Sequence, residues 1–277
     1  MTTYEDQTAR SDRSTGVTSR DRLRQAVVVV SAVLGIIGAV IGSGAWGGEP
    51  VAEAAGGALS ADATFLAPAG PAFSIWSVIY TALVVWTVWH TLPGRASSSL
   101  ARATGWWGAA SLLLNASWLL TVQVELLWLS VVIIVVLALV LGRLLTAPGA
   151  TDDRAGEVIT RVTFGLYLGW VSVATCANLA AVLVDAGVDS GRRVGEEIAL
   201  VVLAAVCGLV LLYALRVGIA RWAVTAAAVW GLSWIAVGRL TDQPDSTVVG
   251  IGALVAAVVS VGLTALGARR GRSRRGA

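Results

Sequence analysis

Residues 71–92 read PAFSIWSVIYTALVVWTVWHTL. From 73 to 92 the stretch carries no acid, lysine or arginine, and it has the roughly 20 residues that an α-helix needs to cross the hydrocarbon core of a bilayer. Only structures that satisfy their own backbone hydrogen bonds persist at that depth, so the stretch reads as a transmembrane helix. Phe73, Trp76 and Tyr80 stand at i, i+3 and i+7, and at about 100° per residue they share one face within about 60°. Trp86 and Trp89 point elsewhere. Trp89 and His90, the chain's single histidine, close the run, where they read as interfacial anchors.

Working outward, seven more stretches have the same character, at about 26–46, 104–124, 126–145, 158–184, 197–215, 219–240 and 248–268. The third and fourth spans are separated by little more than Glu125, which predicts a tight helical hairpin. The whole chain is 56% hydrophobic and 13% charged, with mean hydropathy +0.78, far from the roughly 25% charge of soluble domains. The fold class expected is therefore all-α: an integral membrane bundle of eight transmembrane helices.

The arginines set the orientation, because cytoplasmic segments retain an excess of Lys and Arg. There is no lysine, and seventeen of the twenty arginines fall on the side shared by the N-terminus, alternate loops and the C-terminus; only Arg192, Arg193 and Arg239 fall on the other. Both termini are expected to be cytoplasmic, in the cell (inner) membrane of a bacterium, since the Arg-only, Ala/Val/Gly/Leu-rich composition resembles that of a GC-rich bacterial genome. Residues 1–25 are too polar to repay the entropy of folding and read as a disordered cytoplasmic tail, with no signal peptide. Residues 269–277 read as a basic cytoplasmic tail. The external segment 47–72, with three prolines, several glycines and no basic residue, is long enough to act as a lid.

Composition also narrows chemistry. Net charge is only +3, with no basic face, so nucleic acid is not an expected partner. Cys176 and Cys207 lie in apolar runs and read as small buried hydrophobes, not as a disulfide or metal site. No acid, base or imidazole lies near the middle of any span, so neither a catalytic residue nor a metal ligand is expected, and ion-coupled transport is disfavoured. The small-residue face of the first span, Ser31, Gly35, Gly38, Ala39 and Gly42, should pack closely, inside the bundle or against a second copy.

Two further spans repeat the aromatic stripe of the first quoted segment. Trp107, Ser111, Asn115 and Trp118 share one face of the third span; Tyr167, Trp170, Ala174 and Asn178 share one face of the fifth. A buried amide is costly without a partner, so Asn115 and Asn178 must face protein, water or ligand. Large rings plus a few placed polar groups are the inventory of a ligand site, and the stripes are expected to converge on a shared interior pocket.

The segments 71–80 (PAFSIWSVIY), 114–118 (LNASW) and 167–178 (YLGWVSVATCAN) resemble the TspO/MBR family, also called translocator protein, tryptophan-rich sensory protein or peripheral benzodiazepine receptor-like. Over residues 26–184 the resemblance implies a five-helix core, often dimeric, that binds porphyrins, sterol-like lipids or other planar apolar molecules beneath the loop after the first helix. Carried over residue by residue, the pocket would include Trp76, Tyr80, Asn115, Trp118, Trp170, Ala174 and Asn178, beside Phe73 and Tyr167 from the stripes. The family's W-x-P-P lid element appears as TFLAP at 64–68, placing Phe65 and Pro68 in the lid, and a proline often found before the fifth-helix Tyr is Leu166.

Residues 185–268 would then add three helices, whose Trp222, Trp230 and Trp234 read as packing residues. The expected partners are the bilayer, a small hydrophobic ligand and, as the resemblance implies, a second copy of the chain. No cofactor is required, although the ligand could be a porphyrin or haem-like molecule. The function implied is a membrane receptor, sensor or carrier; the alternatives are a secondary transporter of a small hydrophobic metabolite and light-dependent breakdown of porphyrin.

Overall fold

The computed structural model describes residues 16–42, 49–51, 53–147, 153–188 and 191–273. Expectations for most of the polar tail, for the first residues of the lid and for the last four residues lie outside the described residues. Among the described residues eight α-helices follow one another: α1 (Ser19–Gly42), α2 (Ile75–Thr91), α3 (Ser99–Gln123), α4 (Leu127–Leu145), α5 (Arg154–Asp185), α6 (Gly191–Arg216), α7 (Arg221–Thr241) and α8 (Thr247–Ser273). There is no strand among the described residues.

Seven of the eight helices are long and apolar enough to cross a membrane. The eighth, α3, has the length, at 25 residues, but carries Arg102, Ser111, Asn115 and three tryptophans in place of an aliphatic run. Ser111 and Asn115 are turned inward and buried, which is how such a helix can sit among apolar neighbours.

Two boundaries differ from the sequence reading. Residues 19–25, expected in the disordered tail, are the first turns of α1. Thr18 and Asp21 form a reciprocal cap, with the Thr18 hydroxyl accepting from the Asp21 N–H at 3.2 Å and Asp21 accepting from the Thr18 N–H at 3.0 Å. Asp21 also pairs with Arg24 at 2.8 Å and Arg102 at 2.6 Å, tying α1 to α3. At the other end, the expected basic tail begins as helix, since α8 runs to Ser273.

The first five helices close into a ring, α1 on α3, α3 on α4, α4 on α5, and α5 on α2. The opposite face of α5 meets α7, which packs on α8, and α8 covers α6. Val217, Ala220, Val224 and Ala227 belong to the core of the first five helices, while Val173 of α5 belongs to that of the last three. The added helices are therefore built into the bundle rather than appended to it.

The glycine face of α1 is used inside the chain. A Cβ at Gly38 would stand 3.2 Å from the Ala116 Cβ, and one at Gly42 2.6 Å from Leu119, so α3 occupies the face that could have met a second copy. The α3–α4 hairpin is as tight as expected. Glu125 adopts a left-handed φ of 61° and the Leu126 N–H reaches back to the Thr121 carbonyl at 3.0 Å, closing α3 as a Schellman-type end.

At the end of the bundle where α1 begins, Trp89 and His90 are buried, not exposed as interfacial anchors. The Trp89 indole donates to Asp153 at 3.0 Å, and Arg95 pairs with the same carboxylate at 2.7 Å. Asp153 caps α5 by accepting from the Gly156 N–H at 3.1 Å. That hydrogen bond, helped by Trp89 and Arg95, holds the Asp153 carboxyl below the usual carboxylate range. A depressed folded pKa contributes stability above the unfolded value, about 3.9, and loses it as pH falls through the folded one. Asp153→Ala should thus cost about 1 kcal/mol at pH 7, with the gap from wild type shrinking below about pH 4, as read by thermal unfolding in detergent.

Candidate functional site

A 3-10 turn, Gly70–Ser74, with Pro71 at its start, leads into α2 and places Phe73 one turn ahead of Trp76. Trp76 stacks on Tyr80 with ring centroids 5.3 Å apart and planes at 23°. From α5, Tyr167 and Trp170 meet Trp76 edge-on at 5.8 and 6.3 Å, and Phe73 meets Trp170 edge-on at 5.8 Å. Edge-to-face and offset-stacked pairs are the favoured aromatic geometries, and they lock α2 against α5. The stripes of these two helices do converge, as expected.

The two buried amides find protein partners. Asn115 donates to the Tyr80 hydroxyl at 2.8 Å, bridging α3 to α2. Asn178 donates to the Ser130 hydroxyl at 3.1 Å, bridging α5 to α4. Tyr167, fully buried, reaches the Ser111 carbonyl at 3.4 Å. Trp107 is not part of this assembly: it is 37% exposed, with the Arg143 guanidinium 5.5 Å from its ring centre.

The space around these rings is divided, not a single interior pocket. Beneath the lid lies a void of about 40 Å³ lined by Pro68, Phe73, Trp118, Trp170, Ala174 and Asn178, among others. Deeper, a void of about 20 Å³ lies between Trp76, Asn115, Trp118 and Trp170. The roomy part is a cleft of about 560 Å³ between α1 and α2, walled by Ile36, Ala39, Phe73, Trp76, Tyr80 and Trp118. The expected single pocket is divided because the rings interlock across the centre. Of these three spaces the cleft alone has the several hundred Å³ typical of ligand sites.

Trp118 is shared by all three spaces, and Phe73, Trp76 and Trp170 by two or more. The indole N–H groups of Trp118 and Trp170 are buried and have no hydrogen-bond partner among the described residues. A buried donor left unmade costs about 1–3 kcal/mol. An acceptor-bearing ligand in these spaces would relieve that cost.

The lid divides as well. Residues 58–60, Thr64, Ala67 and Pro68 roof the upper void. Phe65, expected beside Pro68 over the aromatic site, instead faces a separate cavity of about 480 Å³ toward the end of α5 and the start of α6. The reason is the second core, against which Phe65 packs and in which its neighbour Leu66 is buried.

What sequence reasoning missed is the grip of α7 on the lid. Arg239, 1% exposed, donates to the carbonyls of Ala61 and Thr64 at 2.7 and 2.9 Å, and to Pro244 at 3.0 Å. The Ala69 N–H donates to the Trp234 carbonyl at 3.1 Å, and the Trp230 indole donates to the Ala72 carbonyl at 2.9 Å. The available signal was an arginine inside an apolar run on the side otherwise poor in basic residues. Among the described residues no group of three or more His, Cys, Asp or Glu could hold a metal ion.

The family model described as TSPO-like protein matches residues 27–266. The match runs from α1 into α8, so it takes in the three added helices as well as the five-helix ring. No curated protein and no solved structure matches the chain.

Proposed function

Because this chain belongs to the TSPO-like protein family, whose membership supports a membrane-bound binding or sensor protein, we propose that it binds a planar apolar ligand, a porphyrin or other tetrapyrrole or a sterol-like lipid. The ligand would lie in the α1–α2 cleft against Trp76 and Tyr80, with Trp118 and Trp170 behind. The observation that carries this reading is the orphaned indole donor of Trp118, which lines the cleft and both voids, with that of Trp170 beside the two voids behind it. Apolar walls with a few donors suit a flat molecule bearing peripheral oxygen or ring nitrogen acceptors.

Receptor, sensor or carrier action fits the site better than catalysis. Tyr80, Ser77 and Asn115 are polar side chains about the cleft and the deeper void, and among the described residues no carboxylate, imidazole or lysine joins them. No cofactor is needed for binding. The arginine bias supports cytoplasmic termini in a bacterial inner membrane. Pairing with a second copy would have to use a face other than the α1 glycines.

Titration of the purified protein with protoporphyrin IX should give saturable tryptophan quenching. Trp118→Phe should weaken binding about tenfold, the loss of one good hydrogen bond. Without ligand the same variant should be as stable as wild type or more so, since it deletes an unsatisfied donor. Quenching that never saturates, or that Trp118→Phe and Trp76→Ala leave unchanged, would rule the site out.

A further inference from the structure

The second half of the lid, residues 61–72, is fastened to the added helices, whereas its first described residues are fastened to the ring: the Gln123 amide donates to the Glu49 carbonyl at 2.6 Å and the Val51 N–H to the Gly42 carbonyl at 3.1 Å. Beyond the Ile75 N–H, which donates to the Ala72 carbonyl where the chain turns into α2, α7 supplies the polar contacts to residues 61–72: Arg239 to Ala61 and Thr64, the Trp234 carbonyl to Ala69, and Trp230 to Ala72. Arg239 is also bound to Pro244, so one buried guanidinium joins the lid to the α7–α8 loop. Gly238, beside it, faces the lid backbone: a Cβ there would be in ordinary van der Waals contact with the Ala69 nitrogen at 3.4 Å. We propose that α7 is a clamp, with Arg239 and Trp230 as positioning residues that hold the lid shut over the aromatic site and so set how long a bound ligand stays.

A buried charge is held in place by its acceptors, and removing it strands them; both terminal nitrogens of Arg239 are bound, and its Nε–H has no partner among the described residues. Without the guanidinium, the Ala61 and Thr64 carbonyls lose their partner, and the roof of the upper void, which Thr64 itself lines, comes free. The clamp also gives the added helices a purpose: a movement of α7 against α5 would be felt at the lid. This inference rests on the proposed ligand site only for residence time. The attachment itself is independent of any ligand.

The test is hydrogen–deuterium exchange of the full chain in lipid nanodiscs, with protoporphyrin IX dissociation followed by tryptophan fluorescence. Arg239→Gln and, separately, Trp230→Phe should speed exchange of the Ala69 and Ala72 amides about tenfold while α2 to α5 exchange as in wild type. Porphyrin should leave faster by a similar factor. Unchanged lid exchange in both variants overturns the clamp, as does faster lid exchange with unaltered porphyrin release. If Arg239→Gln loosens α2 to α5 as well, Trp230→Phe alone decides, on the same readings. If the lid loosens in an otherwise intact bundle but wild type binds no porphyrin, the attachment stands and the proposed ligand falls.

Discussion

Gly169→Val is expected to lower the unfolding temperature in mild detergent more than any other single change considered for this chain, with a loss above about 3 kcal/mol, beyond the usual 1–3 kcal/mol of overpacking. Gly165 and Gly169 form a GxxxG step on the face of α5 that meets α7. A Cβ at Gly169 would stand 2.1 Å from the Val224 carbonyl oxygen and 3.0 Å from the Ala227 Cβ, and one at Gly165 2.8 Å from the Ala223 Cβ. The obstacle at Gly169 is backbone, which cannot swing aside as a side-chain tip can, so α5 and α7 must separate. Because α7 carries the lid contacts, the separation should loosen the lid together with the bundle. Gly208→Ala is the control: open space surrounds Gly208, and alanine should be neutral or stabilising by up to about 1 kcal/mol. Equal melting of Gly169→Val and wild type would contradict the close α5–α7 crossing.

Trp170→Ala comes next. The indole is 1% exposed, touches Phe73 and Trp76 edge-on, and lines both inner voids. Deleting a buried tryptophan costs about 3–5 kcal/mol when the neighbours cannot collapse into the space, and here three helices hold those neighbours apart. The voids of about 40 and 20 Å³ should merge into one cavity of apolar walls, of the kind that stays dry and binds small aromatics. Added indole should therefore restore part of the lost thermal stability, by mass action, while protoporphyrin affinity falls at least tenfold. A variant that melts as wild type does, ignores indole and still quenches with porphyrin would remove Trp170 from the site.

Much of the fold was legible in the chain. Eight apolar runs, the alternation of arginines and the Glu125 hairpin are local or additive features, and the helices fall where those features lie. The stripes were equally legible, since which residues share a helix face depends only on the 100° step; Trp76, Tyr80, Tyr167 and Trp170 duly meet. The start of α1 was misread because hydropathy weighed against residues 19–25, although the Thr18–Asp21 cap was present in the sequence. Trp89 and His90 were misplaced because position along a helix says nothing of what packs on it.

By itself, then, the sequence determined the order of the apolar helices and which rings and amides each presents on one face, because helical periodicity and the cost of burying charge act within a single segment. Only the tertiary structure decided that Asn115 pairs with Tyr80 and Asn178 with Ser130, that the rings interlock instead of enclosing one pocket, that Phe65 turns away from the site, and that α7 grips the lid. Those outcomes depend on which faces of helices distant in sequence come into contact, and that is set by close packing at glycine steps such as Gly165–Gly169 and by the need of every buried polar group for a partner, neither of which a single helix can settle alone.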